Sequence, residues 1–100
     1  MFVHAGGEVV VRMSDLVAII DRRTVDDPGP TRELLEFMRS QGRVEDVAPG
    51  EVKSVILCSP RRRRRRSQKP GRIVLSPISV GTLHHRVGVL DDLGDGAAGG

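Results

Sequence analysis

Three runs of consecutive branched or apolar residues constrain this chain more than anything else in it: Val9-Val10-Val11, Leu16 to Ile20, and Val55 to Leu57. Branched side chains favour extended backbone. A strand with one wet face alternates apolar and polar residues, because successive side chains point to opposite faces. These runs do not alternate, so they predict a sheet that is apolar on both faces. Aromatic residues make up 2% of the chain, with no Trp and no Tyr. The core is therefore aliphatic, and exposed rings on which nucleobases could stack are missing, which argues against a single-strand or RNA-reading module.

Between the runs the local signals are readable. Phe2–His4 and Glu8–Arg12 predict a hairpin turned by Gly6-Gly7. Leu16–Asp21 is a third strand, and "RRTVDDPGP" is a loop in which Pro28, Gly29 and Pro30 exclude regular structure. "PTRELLEFMRSQG" is the convincing helix, starting at Pro30 or Thr31 and ended by Gly42. Its apolar stripe is built from Leu34, Leu35, Phe37 and Met38. "VEDVAPG" is a short strand or connector, and residues 53–59 and 72–76 are two further strands. "PISVGTLHHRV" predicts a short final helix capped by Ser79. From Gly88 on, the composition turns Gly-rich and acidic, so residues 88–100 read as a disordered tail. The expected fold is α+β: a small, mostly antiparallel sheet with one central helix and a short C-terminal helix. One such helix covers one face only, so the second apolar face predicts homo-oligomerisation.

The net charge of +3 conceals an asymmetry. Arg61, Arg62, Arg63, Arg64, Arg65, Arg66, Lys69 and Arg72 place +8 within twelve residues, leaving 8 basic against 13 acidic residues, or −5, in the rest. An acidic body with one strongly positive segment attracts polyanions at one place. The segment, residues 60–71, joins two strands, and its self-repulsion predicts a solvated hairpin extension. Guanidinium groups bind phosphates bidentately and remain charged at any relevant pH. The competing readings are a polar loop expansion, a nuclear-import signal and an anionic-lipid patch.

Enzyme chemistry has no foothold. The chain has no GxSxG, HExxH, P-loop or GxGxxG motif. His84 and His85 are adjacent and diverge by about 100° on a helix, so they do not chelate one ion together. Cys58 is alone, which excludes a disulfide framework and a cysteine metal site. No cofactor, metal or small-molecule substrate is expected. "LVAII" is the longest aliphatic run, far below the roughly 20 residues that span a bilayer. The chain reads as a soluble protein of a reducing compartment.

The flanks of the arginine run carry a resemblance. "FVHAGGEVVVRMSDLVAIID", the helix ending "RSQGRV", then "KSVILC" and "RIVLSPISVGTLHHR" together resemble the RemA/RemB family of small bacterial regulators of extracellular-matrix (biofilm) genes. The "VVVR" and "SP.S..TL..R" pieces are closer to the RemB-type branch. The likeness runs over about residues 2–87, which form one domain with the arginine-rich insertion at 60–71. It implies a cytoplasmic α+β protein, and in the RemA branch a ring-like homo-oligomer that binds double-stranded DNA and activates transcription. Where RemA-type members carry basic residues, this chain has Asp15, and Glu51-Val52 after Gly50, with Lys53 and Arg12 nearby. The candidate DNA-contacting residues are therefore Arg61 to Arg66, Lys69, Arg72, Lys53 and Arg12. The alternative is an oligomeric structural or interaction protein with no specific nucleic-acid target.

Overall fold

A computed structural model of the chain describes residues 1–60 and 70–97, with side chains up to Gly88. Strands β1 (Phe2–Gly6) and β2 (Val9–Arg12) form the expected hairpin, with Gly6 and Gly7 both at positive φ. Gly6 is also crowded, since a Cβ there would lie 3.0 Å from Pro77 Cγ. A 3-10 turn, Met13–Asp15, leads into β3 (Leu16–Asp21). Next come α1 (Arg23–Asp26), α2 (Pro30–Ser40), β4 (Val44–Asp46), β5 (Ser54–Cys58), β6 (Arg72–Ser76) and α3 (Val80–Ala97).

The main sheet has the order β3-β5-β6-β4, antiparallel except for the parallel β4–β6 pair. Its two faces hold two separate aliphatic clusters. On one face, Val55, Ile73 and Leu75 pack with Met38, Leu34 and Leu35 of α2. On the other, Ile56, Cys58 and Val74 pack under Val3, Ala5 and Val11 of the hairpin and Leu83 of α3. The β5 run thus has the two-sided burial its pattern predicts, whereas in β2 Val11 is buried and Val10 exposed, and Val17 of β3 is exposed. The inference drawn from it needs correction, because the hairpin and α3 of the same chain cover the second face. The second apolar face therefore does not by itself call for another copy of the chain.

Helix α2 carries both predicted ends. Pro30 occupies its first turn. At the other end Gly42 sits at φ 69°, with Gly42 N–H donating to Arg39 O (3.1 Å) and Arg43 N–H to Met38 O (3.0 Å). These two bonds are a Schellman cap, which needs a left-handed residue that glycine adopts without a Cβ clash. Phe37 departs from the expected stripe: it is 40% exposed, whereas Met38 is fully buried. At about 100° per residue, Phe37 falls to the flank of the face centred on Leu34, Leu35 and Met38.

Two further differences are local. The expected loop after β3 contains the single turn α1, started where Asp21 Oδ1 accepts the Arg23 N–H at 2.9 Å. This side-chain bond supplies a partner for a helix-opening N–H. Ser79 caps α3 as expected, accepting the Thr82 N–H at 3.2 Å. The helix then continues past Gly88 to Ala97, through much of the stretch expected to be a disordered tail. Extending a nucleated helix by one residue adds a hydrogen bond at far lower entropic cost than starting one. The last part of that tail, 98–100, lies outside the described residues.

Candidate nucleic-acid interface

Arg61 to Arg66 and Lys69 lie outside the described residues, but both roots of their segment are fixed. Cys58 pairs with Arg72 at the end of the β5–β6 ladder, and Gly71 N–H donates to Cys58 O at 2.8 Å. Gly71 packs against the backbone of Pro60 so closely that any Cβ would overlap it. The two chain ends therefore leave the sheet side by side, and the arginine segment departs from a single point at one end of the molecule.

Arg12 and Arg72 lie at that end. Arg12 closes β2, and the 3-10 turn that follows holds Ser59 through a 2.7 Å bond from Ser59 N–H to Asp15 O. Arg72 begins β6, where its guanidinium lies 3.5 Å from Glu45 Oε2. Arg43, absent from the sequence-based set, belongs to the same end, since its carbonyl accepts the Ile73 N–H at 3.0 Å. Nothing local marked it, because β4 reaches this end only through its parallel pairing with β6. Cys58 is buried beneath this end. Burial pushes its thiol pKa up and the Arg72 charge partly opposes the shift, so it is no ready nucleophile.

Lys53 is not brought to the arginine end. It precedes β5, with its N–H donating to Ser76 O and its carbonyl accepting from Arg22 N–H. The length of a five-residue strand, roughly 17 Å, separates it from Ser59. Around it the fold gathers Arg22 and Arg23, also absent from the sequence-based set, but each faces a carboxylate. Arg22 Nη2 is 3.1 Å from Asp26 Oδ2, and Arg23 Nε is 3.2 Å from Asp21 Oδ1. The hydrogen bonds from Arg23 hold the Asp21 carboxyl below its ordinary pKa. Beside them a shallow depression of about 410 Å³ is lined by Gly50, Glu51, Val52, Lys53 and Pro77. This end is charge-balanced, whereas the other sets Arg12, Arg43 and Arg72 against Asp15 and Glu45 beneath the departing segment.

Residues 2–87 match the family described as RemA-like, extracellular matrix regulatory protein A-like. The chain belongs to the RemA-like family. No curated protein matches it. The family match spans every strand, α1, α2 and the first part of α3. Asp15 and Glu51 also fall at opposite ends: Asp15 beside Ser59, and Glu51 in the depression with Lys53. Among the described residues, no helix is long and apolar enough to cross a membrane, and no three His, Cys, Asp or Glu residues converge as a metal site.

Proposed function

We propose that this RemA-like protein, closer in sequence to the RemB-type branch, is a bacterial, cytoplasmic, homo-oligomeric regulator of extracellular-matrix genes that binds double-stranded DNA through its arginine end. The observation that carries this reading is the convergence of Arg12, Arg43 and Arg72 at the root of the segment holding Arg61 to Arg66 and Lys69. Cations grouped at one end of an acidic body concentrate the attraction for phosphates at that place. Six phosphate contacts give a log–log salt slope of about −5, which is strong and sequence-blind binding. Several copies joined in one assembly multiply such contacts.

The test is duplex binding across a salt series. Replacing Arg61 to Arg66 with serine is expected to flatten the slope by about five units, while Lys53→Ala leaves it nearly unchanged. A wild-type chain that leaves duplex unshifted at low salt removes this reading. A second reading, an interaction protein without a nucleic-acid target, draws on Asp15 and Glu51 at the RemA-type basic places. One stoichiometric protein partner recovered after nuclease treatment favours it.

A further inference from the structure

The outer strands of the main sheet, β3 and β4, each have a strand partner on one side only among the described residues. Such edges present unpaired backbone N–H and C=O groups and are templates for pairing with another chain. Three complete rows cross the sheet: Ala18–Leu57–Ile73–Val44, Ile19–Ile56–Val74–Glu45, and Ile20–Val55–Leu75–Asp46. Because β3 and β6 are both antiparallel to β5, and β4 is parallel to β6, β3 and β4 run in the same direction.

We propose that the sheet continues from one copy of the chain into the next, with β4 of one copy pairing in parallel with β3 of its neighbour. This rests on the homo-oligomeric reading above and names its interface. Repeating the rows of the sheet sets Val44 beside the neighbour's Ala18, and Asp46 beside the neighbour's Ile20. Charge agrees with that register at both ends. Arg43 comes beside Val17 and two residues from Asp15, while Asp46 approaches the end where Arg22 and Arg23 follow Asp21. Asp21 and Asp26 are the like charges there, and Arg23 and Arg22 already pair with them.

Two observations mark these edges as unfinished in a single chain. Asp46 Oδ1 is buried and has no hydrogen-bond donor among the described residues, which is costly unless a donor arrives. Val17, at the bulge of β3, is 60% exposed. A symmetric β4–β4 pair would set Glu45 against Glu45. A symmetric β3–β3 pair would leave β4 and its orphan oxygen uncovered. The head-to-tail arrangement covers both edges and generates rings or filaments instead of a twofold dimer.

Disulfide trapping tests this directly. Val17 and Arg43 are both exposed, so cysteine at either leaves the core intact, and Cys58 is buried away from reagents. Paired residues on neighbouring strands, about 5 Å apart, are within disulfide reach. Under mild oxidation, Val17→Cys mixed with Arg43→Cys is expected to give covalent dimers, and the double variant a ladder of multimers, while each single variant alone stays monomeric on a denaturing gel. Cross-linking of Val17→Cys with itself would overturn the proposal in favour of a twofold β3 pair. A double variant that traps nothing, although light scattering shows the wild type to be multimeric, overturns the interface and leaves the oligomeric reading standing. A wild type of 10.9 kDa in solution, with nothing trapped, overturns both.

Discussion

The Ser76 hydroxyl donates a 2.6 Å hydrogen bond to the carbonyl of Ala5, joining residues 71 positions apart, both fully buried. The same oxygen accepts the Ile78 N–H at 3.1 Å, and the Ser54 hydroxyl donates to Ile78 O at 2.8 Å. These two serines, the terminal pair of β5 and β6, fasten the hairpin and the entry to α3 onto one end of the central strands. They fix what covers the second face.

Ser76→Ala therefore leaves the Ala5 carbonyl and the Ile78 N–H buried without this partner. The expected cost is about 1–3 kcal/mol. Urea unfolding of the variant should show a lower midpoint with an unchanged slope, since the surface exposed on unfolding is the same.

Coverage of both faces predicts that each depends on its own anchor. Met38 on α2 and Leu83 on α3 are both fully buried, in different clusters. Met38→Ala and Leu83→Ala are each expected to lower stability by about 2–5 kcal/mol. Were the second face open to solvent, thermal melts would show Leu83→Ala close to wild type.

Two glycines predict opposite signs. Gly42 holds the left-handed cap of α2, so Gly42→Ala is expected to destabilise by about 1 kcal/mol. Gly81 lies in the first turn of α3, with nothing within 4 Å of the position a Cβ would take. Gly81→Ala is expected to stabilise by about 0.5–1 kcal/mol through higher helix propensity and a less free unfolded chain. Paired denaturation curves check both.

Asp21 titrates below the ordinary carboxylate range because Arg23 donates to it through side chain and backbone. A depressed folded-state pKa gives a contribution to stability that is present above the unfolded-state value and is lost as pH falls through the folded one. NMR titration of the Asp21 carboxyl carbon should show the low midpoint, and Arg23→Gln should move it upward. The exposure of both groups makes the accompanying change in stability small.

The strand runs, the ends of α2, the Ser79 cap and the isolation of positive charge at 61–72 were legible in the sequence, because each depends on residues within a turn or two of one another. The family was legible too, from ordered pieces that resemble it and a match over residues 2–87. The runs Val9–Val11 and Leu16–Ile20 overstated two-sided burial at Val10 and Val17, whereas for the main sheet it was also written in Val55–Leu57. What did the burying was not, since an apolar side chain records the loss of water and not the identity of its neighbour. Only the tertiary structure decided that the hairpin and α3 cover the second face, through contacts such as Ser76 to Ala5. It likewise decided that Arg43 joins Arg12 and Arg72 while Lys53 lies a strand-length away, because strand order and direction come from long-range pairing that no local pattern encodes.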